Sequence, residues 1–157
     1  MQPYFGLHRF LFDALWIRQN PSPDRCILVT HLRKERELII REFYREWKER
    51  NPLQRKYNLA LKEYINIRMV SIVETSEHAA KSYLSTLAVL QLDAILVGAK
   101  KVSIKKTKAN NKNQQPFERM MIMEYELVGI GTVKMTVGVR RRTQEKVQYC
   151  ITAISKK

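Results

Sequence analysis

The chain is poor in the residues that most often announce a chemistry. It has two cysteines, Cys26 and Cys150, in 157 residues. They lie far apart and form no CxxC pair or metal-type spacing, which argues against a disulfide framework and predicts a reduced, intracellular chain. The three histidines, His8, His31 and His78, are scattered. There is no HxxxH and no His/Asp pair at ligand spacing, so neither a metal centre nor a cofactor is expected. No Gly-rich phosphate loop, no GxSxG elbow, no dinucleotide fingerprint and no internal repeat occurs. No segment reaches the ~18–20 continuous apolar residues of a membrane span. The apolar N-terminus, MQPYFGLHRFLFDALWIRQN, lacks a charged n-region and a small-residue cleavage site and is not read as a secretory signal. These absences predict a cytoplasmic protein whose catalysis, if present, is metal-independent.

Acidic side chains are also scarce. Fifteen carboxylates face 29 lysines and arginines, leaving a net charge of +14. The isoelectric point is near 10.0. A polyanion is therefore the leading partner class: nucleic acid first, with RNA favoured, then an acidic protein, then an anionic membrane surface. The apolar fraction of 45% is enough for one real core. The run NPSPD (20–24) carries two prolines and marks a boundary. It divides the chain into an aromatic-rich arm, 1–24, and a single domain, 25–157.

What is present is organised around residues 132–154, TVKMTVGVRRRTQEKVQYCITAI. They predict two antiparallel strands joined by a polar turn. Val133, Met135, Val137 and Val139 alternate with polar residues in the first arm. Val147, Tyr149, Ile151 and Ala153 do the same in the second, which puts each set on a core. The opposite face of this hairpin offers Lys134, Thr136, Arg140 and Thr152 and no carboxylate. Cys150 falls within a strand, as a packing residue rather than a nucleophile.

The segments before the hairpin read mainly as helices. CILVT (26–30) is a short apolar run, strand or helix entry. Residues 33–50 place Ile39, Phe43 and Trp47 four apart, with Ile40 and Tyr44 beside them. Asn51-Pro52 ends this helix. Leu53, Tyr57, Leu61, Ile65 and Met69 also repeat every four residues, which predicts a second helix over 53–70 and an antiparallel helical hairpin. Thr75 or Ser76 caps a further helix, Ser85 a continuation, and 84–98 reads as the buried helix behind the sheet, with Gly98 at its end. The segment 99–117 holds six lysines and no acid. It fits either a solvated loop or a flexible phosphate-contacting arm built on Lys100, Lys101, Lys105, Lys106 and Lys108, joined by Arg141 and Arg142 of the hairpin turn. With a strand over 118–127, the expected fold is α+β, helices on an antiparallel sheet of three or four strands.

RNA cleavage by 2′-hydroxyl attack suits these residue types. It needs a proton acceptor, a proton donor and cations for the charged phosphorane, while the RNA carries its own nucleophile. His78 is the best acid/base candidate, near a helix start with Lys81 and Ser82 close by. Lys134, Arg140 and Thr152 complete the candidate set.

The C-terminal half, with HAAK (78–81), LDAILVGAKKV (92–102), VKMTVGV (133–139) and VQYCITAI (147–154), resembles the barnase–EndoU–colicin–RelE-like superfamily of ribonuclease toxins. The resemblance spans roughly 74–154 and leaves the helices over 33–70 and the arm uncovered. It implies helices packed on a four-stranded antiparallel sheet and metal-free RNA cleavage. His78 would be the acid/base, Lys134 or Arg140 phosphate ligands, and Thr152 a polar group on the last strand. Three functions fit the residues: a toxin-like ribonuclease, for which an acidic inhibitor is expected over the sheet face; a non-enzymatic nucleic-acid-binding protein of a phage or mobile element; and an assembly protein recruiting partners through its arm or a sheet edge.

Overall fold

The computed structural model describes residues 25–154, with side chains from Leu32 onward. The arm expected over 1–24, with His8, lies outside the described residues. The side chains of Cys26 and His31 do too.

The first helix, α1 (Arg25–Arg50), takes in the CILVT run and starts eight residues before the expected helix. Its buried side is Ile40, Tyr44 and Trp47, spaced four and three apart, with Phe43 packed beside them. Two polar tips on this side find partners. The Tyr44 hydroxyl donates to Gln148 Oε1 at 2.6 Å. The Trp47 indole donates to Asp93 Oδ1 at 2.7 Å. The outer side carries Arg33–Glu37 (3.5 Å) and Arg45–Glu49 (2.9 Å) ion pairs, exposed and worth only tenths of a kcal/mol each.

The helix expected over 53–70 is a β-hairpin instead: β1 (Arg55–Asn58) and β2 (Glu63–Asn66), antiparallel with Tyr57 opposite Tyr64. Leu53, Tyr57 and Met69 of the apparent four-residue repeat are exposed, while Ile65 and Ile67 are buried two apart. Burial therefore follows the period of a strand. Gln54 and Lys62 take positive φ values of 54° and 56°, which no helix accommodates. Asn58 fixes the turn. Its buried amide donates to the carbonyls of Leu96 (2.8 Å) and Ala99 (3.0 Å), and its Oδ1 accepts from Leu61 N (2.8 Å).

Three short helices follow: α2 (Met69–Ala79), α3 (Tyr83–Val89) and α4 (Leu92–Gly98). Two differences from expectation are local. The first helix begins well before Thr75, and 84–98 is split in two. Ser82, not Ser85, is the cap of α3, its hydroxyl accepting from Ser85 N at 3.3 Å. Thr86 Oγ1 then donates to Ser82 O at 2.9 Å, closing the junction.

The remaining strands are β3 (Lys100–Lys106), β4 (Phe117–Leu127), β5 (Gly131–Arg140) and β6 (Lys146–Ala153). Among the described residues the fold is α+β as expected, but the sheet has six strands in the order β1-β2-β6-β5-β4-β3, with β2 parallel to β6. The additions are the hairpin that resembled a helix and β3, whose lysines disguised it as loop. Val133, Met135, Val137, Val139 and Ile151 form the main core with the helices, as the alternation predicts. The second arm departs from it. Thr136 pairs with Cys150 and Val137 with Gln148, so Tyr149 is an inserted bulge residue. Gln148 therefore faces the helices and donates to Thr75 Oγ1 at 2.9 Å. Val147 and Tyr149 join Phe117 and Met120 in a small core on the opposite face. Beyond its two-residue ladder with β2, the edge of β6 is closed by helices: Ala153 N donates to Ser85 Oγ at 2.8 Å.

Candidate nucleic-acid interface

The sheet face away from the main core carries most of the expected site residues. Lys134 stands opposite Thr152 across β5 and β6, with Thr136 on the same face. The hairpin has no carboxylate there, but the neighbouring strand supplies two, Glu124 and Glu126. Glu124 of β4 pairs with Lys134 on one side and Lys100 of β3 on the other. Arg140 does not join Lys134. It lies six residues along β5, about 20 Å away at 3.3 Å per residue. Its guanidinium pairs with Glu145 at 3.0 Å. Glu145 is shared with Arg68, which bonds its other oxygen.

His78 sits in the last turn of α2, not at a helix start. Its Nε2 lies 3.2 Å from Glu74 Oε2. The Glu74 carboxylate is buried and also accepts from Asn113 Nδ2 at 2.6 Å. Burial pushes the Cys150 thiol up to about 12, with Glu74 adding to the shift and Lys134 opposing it. Cys150 is thus a protonated packing group at neutral pH. The Cys150 thiol donates to the Glu74 carbonyl at 3.8 Å, which sets α2 as a wall against β6 at this point. The structure thus pairs His78 with Glu74 on α2 and sets Lys134 opposite Thr152 on the sheet, with Arg140 held elsewhere by Glu145. Tyr149 lies beneath this wall. Its hydroxyl is buried beside Gln114, Glu74 and Asn111, and burial raises it to about 12.

The lysine-rich segment is ordered in two parts. Every residue of β3 is exposed, and Lys100, Lys101, Lys105 and Lys106 lie on it with no acid among them. Lys101 and Lys106 share the face of Ile104, and Lys100 and Lys105 that of Ser103. The loop after it is docked rather than a free arm. Gln114 is buried and accepts from Lys108 N at 2.7 Å, Asn113 reaches Glu74, and Arg141 Nε donates to Gln115 O at 3.2 Å. Lys108, Arg141 and Arg142 are exposed at this end.

Sequence reasoning missed a third group. Asn58 and Ile65 point to the helices, so Tyr57 and Tyr64, directly opposite each other, point the other way. Both are exposed, with ring centroids 5.4 Å apart at 77°. The Arg55 guanidinium lies 4.1 Å from the centre of the Tyr64 ring. Read with a period of two, RKYN and EYIN put these three on one face; the four-residue repeat hid them.

Among the described residues, no cluster of three or more His, Cys, Asp or Glu is placed to hold a metal ion. None of the described helices is long and apolar enough to cross a membrane. No protein-family model, no curated protein and no solved structure matches this chain.

Proposed function

We propose that this chain binds nucleic acid, RNA first, through phosphate contacts along the β3 edge and the adjoining basic turn. The observation that carries the reading is the edge strand itself: seven exposed residues with Lys100, Lys101, Lys105 and Lys106 and no carboxylate. Lysines spread over both faces of one strand form a line of positive charge that a phosphate backbone follows. Lysines on an edge strand also discourage edge-to-edge pairing, a role that needs no RNA. Anisotropy of a labelled RNA across a salt series separates the two. Affinity falls linearly on logarithmic axes, and the variant Lys101→Gln/Lys105→Gln/Lys106→Gln flattens the slope by about 2, at about 0.7 per phosphate contact. A variant that binds RNA unchanged but self-associates returns β3 to a protective role alone.

A second reading, metal-independent cleavage of the bound RNA, is favoured by one observation: the buried Glu74 carboxylate lies 3.2 Å from His78 Nε2, a pairing that orients a general base. Glu74 orients the imidazole and His78 accepts the 2′-hydroxyl proton as the 2′-oxygen bonds to phosphorus; the phosphorus–5′-oxygen bond breaks, the leaving oxygen takes its proton from water, and Lys134 meets the phosphate charge. Arg140 is outside this set. Cleavage of labelled RNA in EDTA that disappears in His78→Ala and persists in Arg140→Ala supports it. Intact RNA, or cleavage indifferent to His78, leaves binding alone. An acidic inhibitor protein belongs to this second reading only.

A further inference from the structure

We propose that the β1–β2 hairpin is a base-stacking platform and that the nucleic acid this chain binds is single-stranded, its unpaired bases seated on Tyr64, Arg55 and Tyr57. The inference rests on the nucleic-acid reading above and names the class of strand and the residues that read it.

Tyr57 and Tyr64 are 43% and 47% exposed, on a face that none of the described helices covers. A cross-strand tyrosine pair stabilises a hairpin, but that alone does not need the guanidinium at 4.1 Å. Arg55 over Tyr64 is the start of a stack that a flat, π-faced ligand extends, with the Tyr57 ring as a side wall. The charges around the platform select an anionic ligand. Glu63 is taken by Lys146 at 2.8 Å on the opposite face. Glu145 is shared between Arg68 and Arg140, so two guanidiniums meet one carboxylate. Lys62 stands exposed in the hairpin turn. Nucleobases on a phosphate backbone match both features: planar groups for the rings and negative charge for the arginines. A duplex hides its base faces in its own stack, so only an unpaired strand presents them. The sheet order puts this platform at one end and the β3 lysines at the other, about 24 Å apart at about 4.8 Å per strand.

The test compares the wild-type chain with Tyr57→Phe/Tyr64→Phe and Tyr57→Val/Tyr64→Val. Valine keeps strand propensity without a ring, and circular dichroism confirms folding. The ligands are an unstructured uridine-rich oligonucleotide and a blunt RNA duplex. The Phe pair binds the single strand as wild type does. The Val pair loses about 10- to 100-fold on the single strand, the size of one or two lost stacking contacts. Its salt slope and its weaker duplex binding do not change. A folded Val pair that binds the single strand as tightly as wild type overturns the platform and leaves the β3 reading standing. A wild-type chain that binds neither RNA removes both.

Discussion

Gly138 is where a single atom decides the packing between β4 and β5. A Cβ built there comes within 2.6 Å of Phe117 Cδ1 and 2.8 Å of two further ring atoms. Phe117 is 1% exposed and has no room to retreat. Gly138→Ala is therefore expected to destabilise the fold by about 1–3 kcal/mol, the usual effect of overpacking, read from the midpoint of urea unfolding. Unchanged stability would show that the Phe117 ring rotates freely. The need for glycine at 138 was not legible in the sequence, where VGV looks like a weakened strand. It depends on a ring brought from 21 residues away. The apolar set on the same strand was legible, because Val133, Met135, Val137 and Val139 need only alternation to define their face. Tyr149 was misplaced for the opposite reason: a bulge adds one residue and breaks the parity on which the reading rests.

Among the elements, the edge of β6 depends on α3 for its last backbone donor. Ser85 is buried, and its hydroxyl accepts from Ala153 N. Ser85→Ala leaves that amide without a partner and is expected to destabilise the protein by about 1–3 kcal/mol. Hydrogen exchange at the Ala153 amide should rise together with the loss of stability. An amide that stays protected in the variant would mean that Ser85 is not what closes the edge. The strand β6 itself was legible in the sequence. Its cover was not, because Ser85 resembled a helix cap until Ser82 took that position. The β1–β2 hairpin was the largest misreading. Leu53, Tyr57, Leu61, Ile65 and Met69 satisfy a helical repeat, yet Asn58 reaches the carbonyls of Leu96 and Ala99. That tertiary anchor, with positive φ at Lys62, favours a tight turn over another helical turn.

For the whole molecule, the buried ionisable groups set its behaviour in alkali. Cys150, ordinarily titrating at 9.0, is raised to about 12, and Tyr149, ordinarily at 10.0, also to about 12. Burial is the first cause in both. Between about pH 9 and about pH 12 the unfolded chain has released these protons and the folded chain retains them. The contribution of these two groups to stability is thus level below about pH 9 and falls as pH rises through this window. Unfolding midpoints measured from pH 7 to pH 11 check this, and Cys150→Ala should make the decline shallower. A decline of equal steepness in that variant would remove Cys150 from the cause. The sequence by itself determined the charge, the α+β class, the α1 helix and the β5–β6 hairpin. Net charge is a sum, and a long periodic segment carries its own face. Only the tertiary structure decided the six-stranded order, the hairpin at 55–66, and the carboxylate of Glu124 beside Lys134. Each of these depends on strand neighbours far apart in sequence, and local periodicity is blind to which strand lies beside which.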